Sequence, residues 1–271
     1  MIFDAAKMDE VKMTLKIYQI DAFAKNVFEG NPAAVCPLES WLDDALMQKI
    51  ALENNLSETA FFVKEGDAFH IRWFTPTSEV DMCGHATLSC AFVLFEILGY
   101  KDETIVFHSK SGALHVRRDK EMFVMDFPAQ QMLTCKIPQS LKEAFGVEAA
   151  ACYKAMDYLL VFDNEADVVN AKPNFENLKN IDARGVIISA RSESYDFVCR
   201  FFAPKYGINE DPVTGSLFTE LIPYWSEKLN KTELTAKQVS RRGGEVKCVN
   251  AGDRVKIAGK AVKYMEGYIT I

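Results

Sequence analysis

"FHIRWFTPTSEVDMCGHATLSCAFVLFEILGY" occupies residues 69 to 100, and "DFVCRFFAPKYGINEDPVTGSLFTELIPYWSEKL" occupies residues 196 to 229. Both run through a β-branched and aromatic segment, a proline, a polar loop, a glycine and an apolar helical stretch. Arg72, Phe74 and Pro76 answer to Arg200, Phe202 and Pro204. A repeat of this kind predicts one supersecondary unit used twice, so it constrains the fold more than any single element does. The helical stretch from His85 to Leu98, closed by Gly99, is apolar on nearly every side, broken only by Ser89 and Glu96. Such a helix must be wrapped, and the strands around it supply a curved sheet. The expected class is therefore α+β, with two similar halves, each a mostly antiparallel curved sheet around a central helix. The boundaries fall at 1–130 and 131–271, joined near Pro128 to Pro138, with the last strand able to return to the first half.

Outward from the repeat, strand patterns appear at "LKIYQIDAF", "PAAVCPL", "TAFFV", "TIVFHS", "ALHVRR" and "MFVMDF", separated by turn residues. "LDDALMQKIALENN" reads as an amphipathic helix through Leu42, Leu46, Ile50 and Ala51. The second half reads as less regular. "VIIS", "FVCRFF" and the tail "RVKIAGKAVKYMEGYITI" are strand-like, while "SLKEAFG" and Asn164 to Asn180 are helical or loop-like. Pro223 falls inside the second core helix and should kink or shorten it.

Composition excludes several functions. The 271 residues are 49% hydrophobic and 25% charged with a net charge of -7, and acids and bases are interspersed. No basic face offers itself to a nucleic acid. The seven cysteines, at 36, 83, 90, 135, 152, 199 and 248, are odd in number and contain no C-x-x-C pair, which argues against a zinc site or a disulfide framework and for a reducing compartment. Residues 1 to 14 carry acids and lack a secretory apolar run, and the apolar run near Ala86 is too short for a bilayer. A cytoplasmic protein without membrane or nucleic-acid partners is the expectation.

The chemistry gathers at two loops. "DMCGHATLSC" puts Gly84 and His85 at the start of the first core helix, and "NEDPVTGSLF" puts Gly215 and Ser216 at the start of the second, with Asp211 just upstream. Helix starts leave backbone N–H groups unpaired and favour an anion. Two halves related by a pseudo-twofold axis would bring both starts to one cleft, which Glu58 of "NLSETAFF" (residues 55 to 62) joins if its strand ends nearby. Two carboxylates and an imidazole around an anion hole are the parts of a proton-transfer site, because a dry pocket lets a carboxylic acid both take and give a proton. No metal is required.

Structural readings of the same residues stand beside this one. Glu58 after Ser57 fits a turn, His85 a core-edge histidine, Asp211 before Pro212 a turn, and Ser216 a helix cap. His70, His108 and His115 lie in strand patterns without metal-ligand spacing. Cys83 remains a candidate nucleophile.

At these residues the chain closely resembles the phenazine-biosynthesis isomerase-like (PhzF-like) family, which has the diaminopimelate epimerase-like fold. The resemblance runs over nearly the whole chain from Leu15, through "DAF", "FEGNPAAV", "LSETAFF", "RWFTPTSEVDMCGHATL", "RFFAP", "EDPVTGS" and "RRGGE" in that order. It implies two similar α/β halves with the active site between them, and proton shuttling by a glutamate that matches Glu58. His85 and Asp211 match the family's other catalytic positions, and Ser216 lines the same site. The resemblance further implies substrate contacts from Asn31, Cys83, Gly84, Thr214 and Gly215, and more weakly from Arg242, Gly243 and Gly244 of the "RRGG" segment. A homodimer acting on a small carboxylate-bearing metabolite is expected.

Cys83 raises a neighbouring possibility. Diaminopimelate epimerases and proline racemases place a cysteine before the glycine of each helix start, so that one thiolate removes a proton and the other thiol returns one. Cys83 fits the first slot, but Thr214 fills the second, and its hydroxyl is too weak an acid for that role. A racemase is thus less favoured than a one-glutamate isomerase. A binding protein that keeps the fold without catalysis is the rival from another class; damage to the proton-transfer set would mark it, and none is present.

Overall fold

A computed structural model describes residues 13 to 146 and 148 to 271. The stretch read above as lacking a leader lies outside the described residues as far as residue 12. In chain order come β1 (Thr14–Ala22), β2 (Asn31–Leu38), α1 (Asp44–Asn54), β3 (Glu58–Glu65), β4 (Ala68–Phe74), β5 (Glu79–Val80), α2 (Gly84–Phe92), β6 (Thr104–Ser109), β7 (Gly112–Asp119) and β8 (Met122–Pro128). There follow β9 (Leu133–Thr134), α3 (Gln139–Phe145), β10 (Ala151–Lys154), β11 (Tyr158–Phe162), α4 (Glu165–Val169), α5 (Phe175–Lys179), β12 (Val186–Arg191), β13 (Phe197–Ala203) and β14 (Ile208–Asp211). The chain closes with α6 (Phe218–Leu229), β15 (Glu233–Gln238), β16 (Gly244–Asn250), β17 (Arg254–Gly259) and β18 (Ala261–Thr270).

Strand pairing follows one pattern twice. β2 and β3 are parallel, β3 and β4 antiparallel, β4 and β6 parallel, and β6, β7 and β8 antiparallel. β11 and β12 are again parallel, β12 and β13 antiparallel, β13 and β15 parallel, and β15, β16 and β17 antiparallel. Short β5 beside β4 has its counterpart in β14 beside β13. β8 pairs with β17 across the seam, and β18 returns to pair with β1, Thr14 lying opposite Thr270.

The repeated Arg, Phe and Pro share local structure as well as sequence. Arg72 donates Nε and Nη2 to Glu79 at 2.8 and 2.9 Å and lies 5.2 Å from the Phe74 ring centre. Arg200 donates the same two atoms to Glu210 at 2.7 and 3.0 Å and lies 5.1 Å from the Phe202 ring centre. A planar guanidinium satisfies both demands at once, a carboxylate in its plane and an aromatic face beneath it.

Both central helices enter one apolar core. α2 is buried from Gly84 to Ala91, and α6 buries Phe218, Leu221, Ile222 and Trp225 in the same cluster. α1 covers the outer face of the first half with Met47, Ile50 and Ala51, and α3, α4 and α5 cover the second with Leu141, Phe145, Val168 and Leu178. Past Phe92 the first core helix continues as a wider π turn over Val93–Ile97 and stops before Gly99, whose φ of +69° suits glycine. Among the described residues, no helix is long and apolar enough to cross a membrane.

Two features differ from the expectation. α6 runs on through Pro223 to Leu229 instead of ending there. Proline cannot donate to the Thr219 carbonyl one turn back, and the Gln130 N–H takes that acceptor at 2.9 Å instead. The second half is also as strand-rich as the first. "YLLVF" of β11 is a continuous apolar run without alternation, because that strand is covered on both faces. "ELTAKQ" of β15 does alternate, burying Leu234, Ala236 and Gln238, but its small and polar inward residues hide the pattern.

Candidate active site

Glu58 is the first residue of β3, held there by the parallel register that sets it opposite Ala33 of β2. His85 is the second residue of α2, buried on the first turn. The Glu58 Oε2 and His85 Nε2 atoms lie 3.1 Å apart, with side chains only 12% and 5% exposed. The approach is off the direction of a well-aligned hydrogen bond, and each of these buried atoms lacks any other partner. A buried imidazole and carboxylate whose facing atoms have no other protein partner are rare in a core.

Asn31, the first residue of β2, joins the halves. Its Nδ2 donates to Asp211 Oδ1 at 2.8 Å and to the Val213 carbonyl at 2.9 Å, and lies 3.3 Å from His85 Nδ1. Its Oδ1 accepts from Ser57 at 3.2 Å. Asp211, at the end of β14, also accepts from the Thr214 hydroxyl. Burial pushes the Asp211 carboxyl up to about 6, helped by the Glu58 charge and opposed by His85, Thr214 and Asn31. His85 is held well above its ordinary value: burial works against its charge, but the neighbouring Cys83 and Glu58 outweigh that.

Cys83 caps α2 from the strand side, with Sγ 3.5 Å from His85 Nδ1. Burial, then the Glu58 charge, pushes its thiol up to about 11. A protonated, enclosed thiol is a poor nucleophile and fits a pocket wall. Glu58, Cys83 and His85 can each offer one metal-ligand atom, all within 4.8 Å of one another. Occupation by a cation would require the thiol and the imidazole each to give up a proton.

The two helix starts meet. A Cβ built on Gly84 lies 3.4 Å from the Gly215 Cα, and the reverse holds equally. Gly215 opens a short three-ten turn, Gly215–Leu217, that leads into α6. The first N–H groups of both helices have no intrahelical partner, so two sets of donors lie side by side.

The "RRGG" segment has protein partners. Arg242 donates to the carbonyls of Gly30 and Glu29 at 2.8 and 2.9 Å and to Asp21 at 2.8 Å. Gly243 accepts from the Gly30 N–H at 2.7 Å, and a Cβ on Gly244 would come within 2.5 Å of Val213. Arg242 also lines a cavity of about 490 Å³ with Phe28, Glu210, Pro212, Ser240 and Arg241. Glu58, His85 and Asp211 are not among its walls, although Glu210 and Pro212 flank Asp211 in the chain.

Four participants escaped the sequence reading. Gln238, fully buried on β15, accepts from the Thr214 N–H at 2.9 Å and donates to the Asp211 carbonyl at 2.7 Å. A polar residue at the inward position after Leu234 and Ala236 was its only sequence signal. Arg184, Asp157 and Glu220 form a second polar group around Ser216. Nothing in their spacing announces it.

The phenazine biosynthesis-like protein family pattern matches residues 20–267. A relative named an uncharacterized isomerase, from Pseudomonas aeruginosa, is 50% identical over 94% of this chain and 98% of its own length. The crystal structure of a phenazine biosynthesis protein of the PhzF family from Enterococcus faecalis is 47% identical and superposes with a TM-score of 0.94, covering 96% of this chain and 100% of that one. A hydroxyproline epimerase from Agrobacterium vitis shares the fold alone, at 9% identity and a TM-score of 0.62 over 95% of this chain and 93% of that one.

Proposed function

This chain belongs to the phenazine biosynthesis-like protein family, and from that premise we propose that it is a cofactor-independent isomerase of a small, carboxylate-bearing metabolite. Glu58 moves a proton between two carbons along one face of the substrate. The observation that carries this reading is the approach of Glu58 Oε2 to His85 Nε2 at 3.1 Å, two buried atoms with no other protein partner. A carboxylate there takes a C–H proton with little competition from water, and His85, held protonated, stabilises negative charge that develops on the substrate. Asp211, poised near 6, is partly protonated near neutrality and holds a substrate amine or hydroxyl. The helix-start N–H groups at Gly84 and Gly215, with the Ser216 hydroxyl, receive the carboxylate. Its relative's isomerase name agrees with this reaction class.

The direct experiment is incubation in deuterium oxide with pools of small amino and hydroxy acids, a dihydro-hydroxyanthranilate among them, followed by mass spectrometry. Glu58-dependent uptake of deuterium at a C–H position is the expected result. Uptake that persists without Glu58 would remove that residue from the mechanism, and binding without uptake would favour a non-catalytic ligand-binding protein.

A further inference from the structure

Ser216 does not stand alone at the second helix start. Arg184 Nη1 donates to its Oγ at 2.8 Å, while Arg184 Nε donates to Asp157 Oδ1 at 3.0 Å and Nη2 to Asp157 Oδ2. Asp157 is fully buried, and the Arg184 side chain is 30% exposed. Glu220, one turn into the helix, lies beside Asp157 and is 1% exposed, with its Oε2 unpartnered. Burial opposes the Arg184 charge, while Asp157 and, at longer range, Glu220 and Asp211 favour it.

The chemistry of the two groups fixes the direction of the hydroxyl. A guanidinium has only donors, so Ser216 Oγ must accept from it. A hydroxyl that accepts has one hydrogen left to give, and an ionised donor on its oxygen makes that hydrogen a stronger one. Ser216 keeps a second lone pair, but with a cation already on its oxygen that lone pair is the weaker acceptor and the O–H the stronger donor, so the hydroxyl favours an acceptor over another donor at the helix start.

We infer that Arg184, clamped by Asp157, is a positioning residue that makes the second helix start selective for a carboxylate over its neutral amide by holding Ser216 as a hydrogen-bond donor. The inference rests on the reading of the helix starts as the carboxylate site. It does not depend on proton transfer by Glu58. The position of Arg184, outside the repeat, explains why only one of the two helix starts has such a clamp: the corresponding position after Gly84 is His85, which faces Glu58 instead.

The test measures affinities of the intact protein for benzoate and benzamide, by calorimetry or ligand-observed NMR, in wild type, Arg184→Gln and Arg184→Lys. Arg184→Gln should weaken benzoate at least tenfold and benzamide less than twofold, and Arg184→Lys should recover part of the benzoate affinity. Because Arg184→Gln strands the Asp157 charge, the double variant Arg184→Gln with Asp157→Asn keeps the comparison available if the single one does not fold. Equal weakening of both ligands would reduce Arg184 to a scaffold role, and a wild type without preference for benzoate would also overturn the inference. Deuterium uptake reads the proton-transfer proposal and the affinity ratio reads this one, so the two fail in separate measurements.

Discussion

Gly84 and Gly215 face each other across the seam, each leaving room for one Cβ at 3.4 Å from the other's Cα. That distance is ordinary contact, so the gap accepts one methyl group and not two. The close approach brings two helix starts together, where a single anion can answer both.

Gly84→Ala and Gly215→Ala should each change stability by less than about 1 kcal/mol, whereas the double substitution should cost more than their sum, because both methyl groups claim one gap. Denaturant melts of the four proteins complete the cycle. Additive effects would show that the helix starts are further apart in solution.

Glu58→Gln should abolish deuterium uptake while leaving stability within about 1 kcal/mol, since the amide keeps the shape at the strand start. Mass spectrometry and thermal melting on the same sample separate the two readouts. A melted variant would make Glu58 a structural residue.

Asp211 makes stability depend on pH in a definite direction. Its folded carboxyl is raised to about 6 from 3.8, so the folded protein holds that proton longer than the unfolded chain does. The contribution is fully present below pH 3.8 and is lost as pH rises through 6, on the order of 3 kcal/mol in all. Asp211→Asn should therefore gain on wild type between pH 4 and 7 in denaturant melts. Parallel curves for the two proteins would sink the assignment.

Gln238→Leu should destabilise by about 2–4 kcal/mol, because it leaves the buried Thr214 N–H and Asp211 carbonyl unpaired. Gln238→Glu keeps the acceptor but sets a buried carboxylate against the Asp211 carbonyl, so it should destabilise at least as much as Gln238→Leu. Equal stability of all three would mean that water replaces the amide.

What could be read from sequence depended on how loudly burial speaks. α2 was legible because it is apolar on all sides, and the repeat placed Gly84 and Gly215 at matching helix starts. The 3.1 Å approach of Glu58 to His85 was not legible, since it depends on the parallel register of β2 and β3. Parallel pairing joins strands distant in sequence and leaves no local pattern. Gln238 and Arg184 were missed for a related reason. Each acts by satisfying another residue's polar atoms, and such complementarity becomes visible only when the partner is in place.

The return of β18 to β1 has a consequence for synthesis on the ribosome. β1 is among the first strands to emerge, yet its partner along Thr14–Ala22 is the last ten-residue strand, and β8 likewise awaits β17. Until β17 and β18 have been made, the nascent first half carries two open strand edges able to pair with another chain. A message truncated before residue 261 would therefore yield a polypeptide with most of its core and a permanently sticky border, which quality control would meet as an aggregating species.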